Sequence, residues 1–151
     1  MAKDIHETGT YPVYSANVFE PFGYTEDLLI TDFSQPSVIW GIDGDWQVNM
    51  ISKDIPFYPT DHCGVMRINT DKIHPRYMVW ALEKAGKSLN FSRSYRASLD
   101  RIESITINIP PHKEQWEAMS EVEELERRIQ MLESTLNELS MKKRTIVSRY
   151  L

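Results

Sequence analysis

The sequence predicts an α+β fold, with a small strand-rich domain over residues 1–111 followed by a long C-terminal coiled-coil helix over residues 112–151. Two observations carry that prediction. All 6 glycines and all 8 prolines of the 151-residue chain lie before His112, so the tail holds none of the residues that interrupt a helix. Apolar residues before Pro111 come in blocks of 3 to 5 bounded by turn formers, whereas in the tail they recur at alternating steps of three and four.

In chain order, residues 9–17 (GTYPVYSAN) mix aromatics with small polar residues and read as a strand running into a loop. Residues 28–30, 37–40, 46–48 and 105–109 are short blocks rich in leucine, β-branched or aromatic side chains, each of strand length. Asp43-Gly44 is the favoured pair for a type I′ turn, so 37–40 and 46–48 are expected to form a hairpin. Residues 75–87 (PRYMVWALEKAGK) are predicted as a helix with Pro75 in its first turn and Gly86 as its stop. Tyr77, Trp80, Ala81 and Lys84 share one face of that helix. Trp40, Trp80 and residues 105–109 are expected in the core.

In the tail, Val122, Ile129, Leu136, Lys143 and Tyr150 fall at one heptad position and Leu125, Leu132, Leu139 and Ile146 at the other. This is a coiled-coil seam that opens after Pro110-Pro111, with Lys143 as its polar exception. A helix over 113–151 would run roughly 58 Å at ~1.5 Å per residue. So narrow an apolar stripe calls for a partner helix, and no second helix of that length is predicted, so the partner is expected to be another polypeptide. Folding back on its own domain is the alternative, although globular packing uses a wider stripe. Lys143 either sets register or marks fraying beside the basic run Lys142-Lys143-Arg144, the latter being favoured. Trp116 and Met119 are expected to pack where the helix leaves the domain.

Length and composition narrow the function. At 17.6 kDa with 41% apolar residues the chain can build one core, and a wholly disordered chain is excluded. There is no 20-residue apolar run, and the start MAKDIHETG lacks a secretory segment, so a soluble, cytoplasmic protein without a membrane span is expected. Cys63 is the single cysteine, with neither a disulfide partner nor a CxxC mate. His6, His62, His74 and His112 show no HxxxH or HExxH spacing, so no metal site is expected, and phosphate loops and nucleophile elbows are absent. Asp43 and Asp45 could hold a divalent ion, but two acids in a turn read first as solvated turn formers. No cofactor and no catalytic residues are expected.

A net charge of -5 and a pI near 5.4 argue at first against nucleic acid. Residues 84–101 (KAGKSLNFSRSYRASLDR) nevertheless carry Lys84, Lys87, Arg93, Arg96 and Arg101 against Asp100 alone, interleaved with Phe91 and Tyr95. Arginine and asparagine are the side chains that read base edges, while lysine and serine suit phosphates. The same stretch could equally be a solvated loop whose arginines pair with acids elsewhere.

Taken in order, GTYPVYSAN (9–17), PSVIWGIDGDW (36–46), CGVMRINTDKIHPRYMVWAL (63–82) and SYRASLDRIESITINIPPHKEQ (94–115), followed by the heptad helix, resemble the DNA-specificity subunit of Type I restriction-modification systems. The first motif is similar to the family's YPVYGAN strand, with Ser15 where glycine is usual, and INIPPHKEQ (107–115) resembles the junction between target-recognition domain and long helix. The resemblance implies a target-recognition domain that reads a half-site of double-stranded DNA, with no catalysis of its own. A DNA adenine methyltransferase subunit, and in a complete system a restriction translocase subunit, would be the partners. Family members usually carry two such domains and two antiparallel helices, whereas this sequence has one of each, so a homodimer reading a gapped palindrome is expected. The helix length bounds the gap at roughly 17 base pairs, taking ~3.4 Å per base pair.

Under that resemblance the DNA-facing residues are Asn90, Ser92, Arg93, Ser94, Tyr95 and Arg96, with Lys87 on a phosphate, Trp46, Gln47 and Asn49 from the hairpin, and Tyr14, Ser15 and Asn17 nearby. Val122, Leu125, Ile129, Leu132, Leu136, Leu139 and Ile146 are assigned to dimerisation. Nothing matches the Asn/Asp-Pro-Pro-Tyr/Phe motif of methyltransferases, since Ile109-Pro110-Pro111-His112 lacks its first and last residues. A coiled-coil adaptor or inhibitor without DNA binding is the second reading, and an unrecognised nuclease or methyltransferase the third.

Overall fold

The computed structural model describes residues 5–151; residues 1–4, part of the start read for a secretory leader, lie outside it. In chain order the elements are β1 (Tyr11–Tyr14), β2 (Gly23–Thr25), β3 (Ser37–Gly41), β4 (Val48–Ile51), β5 (Tyr58–Pro59), β6 (Cys63–Arg67), α1 (Pro75–Leu89), α2 (Leu99–Glu103) and α3 (His112–Val147). The chain divides into two compact units, Met1–Gln115 and Trp116–Leu151, so the first turn of α3 belongs to the first unit. No helix among the described residues is long and apolar enough to cross a membrane.

Two three-stranded sheets build the first unit. One has the order β2-β1-β5, with β1 antiparallel to β2 and parallel to β5; the other is the antiparallel β4-β3-β6. The central strand β3 is buried at every position, because side chains alternate across a sheet that is covered on both faces. Val38 and Trp40 enter one core with Val48, Ile68, Met78, Leu82, Phe91, Ala97 and Ile102. Ile39, pointing the other way, enters a second core with Val18, Ile51, Phe57 and Cys63. Burial pushes the Cys63 thiol up to about 12, so it stays protonated and inert at neutral pH.

Several sequence expectations are corrected. Residues 28–30 form no strand: the Thr25 hydroxyl accepts the Asp27 N–H at 3.2 Å and turns the chain as β2 ends, leaving Leu29 exposed. Residues 105–109 pair with no strand either, although Ile105 and Ile107 pack against the first core in the alternation the sequence showed. A period of two marks extended chain packed on one side, and a ladder needs a free sheet edge as well.

The hairpin of β3 and β4 exists, but β4 starts at Val48, and among the described residues only Gly44, Asp54 and Asn90 have positive φ, which excludes a type I′ turn at Asp43-Gly44. A longer loop is forced because Trp46 and Gln47 turn their side chains into contacts with other segments, described below.

Helix α1 also differs from its reading. Met78, Leu82 and Gly86, spaced by four, are its buried face, while Trp80 is 53% exposed and not core. Gly86 is not the stop but the close-packing point, and the helix continues to Leu89, where Asn90 at φ 57 and ψ 43 forms a left-handed C-cap.

The second unit is a single helix. Helix α3 has 36 residues, roughly 54 Å at ~1.5 Å per residue. Leu125, Ile129, Leu132, Leu136, Leu139 and Ile146 lie 54–66% exposed along it, and Val122 is half-buried.

Candidate nucleic-acid interface

The loop that follows α1 is shaped by aromatic packing. Phe91 is buried, its ring centroid 5.1 Å from Trp46 and 5.5 Å from Tyr95, the latter stacked. The Arg101 guanidinium lies 4.1 Å over the other ring of that stack, Tyr95. Ser92 and Tyr95 exchange backbone hydrogen bonds of 3.0 and 3.1 Å, closing a tight turn with Arg93 and Ser94 at its exposed tip. Beyond it, Ala97 donates to the Ile42 carbonyl at 3.0 Å and accepts from Trp40 Nε1 at 2.9 Å, fixing the loop to the hairpin.

Arg96 lies between these anchors. Its Nη2 donates to Asp43 Oδ2 at 3.0 Å, its Nε lies in ion-pair contact with Oδ1, and Oδ2 also accepts from His62 Nδ1. The hydrogen bond from His62, with Arg96 beside it, holds the Asp43 carboxyl below the usual carboxylate range. Arg101 Nη1 donates to the Arg96 carbonyl at 2.6 Å, and Lys87 pairs with Glu83 at 2.5 Å. Asp43 is thus a fixed ion-pair partner and not a solvated turn former.

The other proposed DNA-facing residues have internal duties. Gln47 Oε1 accepts the Val18 N–H at 3.3 Å and Asn49 Nδ2 donates to the Val18 carbonyl at 2.7 Å, pinning the loop after β1 from both sides. Asn17 Oδ1 accepts from Phe19 and Glu20 N–H, and Ser15 Oγ accepts from the Thr60 hydroxyl at 3.1 Å. Tyr14 packs edge-on against Phe57, and burial raises its hydroxyl pKa. Trp46 buttresses α1, donating from Nε1 to the Glu83 carbonyl at 3.0 Å, and Asn90 caps that helix. The structure therefore gathers Asn90 to Arg96 and Trp46 in one place, while Tyr14, Ser15, Asn17, Gln47 and Asn49 make their internal contacts around β1 and the loop that follows it. Asp43, His62 and Arg101 contact the first group, and the sequence reading did not assign them to it. Asp43 is 53 positions from Arg96, so only the fold brings them together. Among the described residues no group of His, Cys, Asp or Glu side chains is arranged to hold a metal ion.

Fold and site together define a small α+β module that presents a basic, aromatic-backed loop and is extended by one long helix. The chain belongs to the family described as the Type I restriction modification DNA specificity domain, which matches residues 1–141. A chain named as the N-terminus of a type I specificity subunit of Mycoplasma pneumoniae is 30% identical over 85 residues, covering 56% of this chain and 45% of that one. The fold is similar to the crystal structure of the S subunit of the M. genitalium Type-I restriction-modification system, with a TM-score of 0.55, 20% identity, and coverage of 96% of this chain and 39% of that one. The chain thus spans less than half the length of either relative.

Proposed function

We propose that this chain is a sequence-reading, non-catalytic specificity module that binds one half-site of double-stranded DNA, acts in the cytoplasm, and docks a DNA adenine methyltransferase subunit. Family membership supports the reading. The observation that carries it is the segment over 90–101, where Phe91, stacked on Tyr95 and tilted against Trp46, backs an exposed tip bearing Arg93 with Arg96 and Arg101 beside it. Rigid backing lowers the ordering cost of presenting cations to DNA.

The second half-site comes, in this reading, from a second copy. The exposed seam of α3 suits a coiled coil, and charge along the helix favours the antiparallel pairing. Residues 112–133 hold seven acids and three cations, and residues 134–151 hold four cations and one acid. Antiparallel packing sets the acidic half of each helix beside the basic half of the other, whereas parallel packing opposes like charges. Two identical domains on a two-fold axis read inverted repeats, so the target is a gapped palindrome.

Mass in solution and a salt-titrated gel shift test the reading. A dimer that dissociates when Leu132 and Leu136 become glutamate, and DNA binding that weakens steeply with salt as counterions are released, are expected. Dimers without DNA binding would instead fit a coiled-coil adaptor or inhibitor, and methyl transfer by the isolated chain would refute the non-catalytic assignment.

A further inference from the structure

We propose that Arg96 reads a guanine in the major groove, held in place for that task by Asp43 and His62, so that each half-site contains a G·C pair at a defined position. The inference rests on the DNA-reading function above and adds the identity of one base and of the residue that selects it.

The geometry distinguishes Arg96 from the other cations of the loop. An arginine carries five N–H donors in a rigid plane. Asp43 faces the Nε and Nη2 side of the guanidinium, with Nη2 donating to Oδ2 and Nε in ion-pair contact with Oδ1, which leaves both Nη1 hydrogens and the other Nη2 hydrogen. Two of those three point in parallel from the end of the guanidinium. Arg96 remains about half exposed and lines an open depression of about 650 Å³ together with Arg101, Ser98 and Asp61, which offers room for a base edge beside it. Guanine is the base whose major-groove edge presents two adjacent acceptors, N7 and O6. Adenine would set its N6 donor against an arginine donor, cytosine offers a donor, and thymine offers a single acceptor.

Electrostatics argue the same way. A carboxylate bound to the guanidinium cancels much of the field that draws a phosphate and repels the phosphate itself, so Arg96 is poorly suited to the backbone. A base edge is neutral, and a pre-aligned arginine loses little freedom on meeting it. Arg93, exposed at the turn tip and with no ion pair among the described residues, has the opposite character and suits a phosphate. His62 and Arg101 complete the support: the first bonds the same Asp43 oxygen, Oδ2, that accepts from Arg96 Nη2, and the second fixes the Arg96 carbonyl at 2.6 Å. Asp43 is accordingly a positioning residue and Arg96 the reading one.

The test is selection of duplexes from a randomised pool by the full-length chain and by Arg96→Gln, Arg96→Lys, Asp43→Asn and Arg93→Gln variants, each first shown to be folded by its thermal melt. The wild type is expected to select an invariant G·C pair in each half-site. Arg96→Gln and Arg96→Lys should reduce discrimination at that position by roughly tenfold or more, on the scale of a lost bidentate contact. Asp43→Asn should relax the same position severalfold while leaving discrimination at the other positions unchanged, and Asp43→Glu should restore part of it. Arg93→Gln should weaken all sequences alike and flatten the salt slope. Uniform weakening by Arg96→Gln, an Asp43→Asn effect confined to the melting temperature, or a selected site without an invariant guanine would each overturn the inference while the DNA-reading function stands. A wild type that selects no sequence would overturn both.

Discussion

The indole of Trp46 occupies the space in which any side chain at Gly86 would begin, since a Cβ there would overlap Cε2, Cζ2 and Nε1 of the ring. The ring is held by its hydrogen bond to the Glu83 carbonyl at 3.0 Å and by Phe91 at 5.1 Å, so it cannot yield cheaply. Alanine at an ordinary helix position gains about 1 kcal/mol over glycine, but forcing atoms into a packed core costs about 1–3 kcal/mol. The packing penalty is expected to win. Gly86→Ala should lower stability by up to about 2 kcal/mol in urea unfolding and shift the tryptophan emission, whereas a more stable variant would show that the hairpin does not dock as described.

Gln115 is fully buried and satisfies three backbone groups at once. Its Oε1 accepts the His74 N–H at 2.9 Å, while its Nε2 donates to the carbonyls of Lys72 at 3.3 Å and Pro110 at 2.8 Å. The side chain thereby ties the start of α1 to the Pro110-Pro111 segment that precedes α3. Gln115→Ala removes all three bonds and should cost about 2–4 kcal/mol, read at one fixed protein concentration so that self-association does not contribute. A loss below about 0.5 kcal/mol, the level of an ordinary surface change, would count against this network.

What was legible in the sequence follows from how local each signal is. The heptads from Val122 to Ile146 and the absence of glycine and proline after Pro111 are properties of one segment, and α3 forms over His112–Val147. Strand β3 was equally readable, because a run buried on both faces is continuous in sequence. The face of α1 was not, since it depends on Trp46, distant in sequence, packing its indole directly against Gly86, while Trp80 stays 53% exposed. In the candidate site, the basic and aromatic composition of 84–101 stood out, but the division of labour among its cations depends on Asp43, a residue that a turn explains without any partner.

Acid should weaken the Asp43 cluster, with a sign set by its depressed pKa. A carboxyl held below its ordinary value of ~3.9 contributes stability that is present above that value and lost as pH falls through the lowered one. Asp32 is also lowered, chiefly by the Ser34 backbone N–H, so the wild type alone cannot isolate the effect. The difference in unfolding free energy between wild type and Asp43→Asn should be constant above about pH 5 and shrink below about pH 4. A difference that persists unchanged to about pH 2 would mean that the ionised carboxylate contributes nothing to the fold.

Lys143 decides between two accounts of the seam. It occupies a heptad position between Leu139 and Ile146, within about a turn of the helix end at Val147, and it sits in the basic run Lys142-Lys143-Arg144. A polar residue in mid-seam sets register, but one at a fraying end costs little and specifies little. Lys143→Leu is therefore expected to tighten the proposed dimer without altering its orientation. Ultracentrifugation across a concentration series reads the first effect, and energy transfer between dyes on Ser148→Cys reads the second. Cys63 does not interfere with labelling, being buried with its thiol pushed to about 12. Antiparallel helices keep the two dyes apart by about the helix length, and parallel helices bring them into contact. A Lys143→Leu dimer whose dyes move from far to near would establish Lys143 as the residue that sets the pairing.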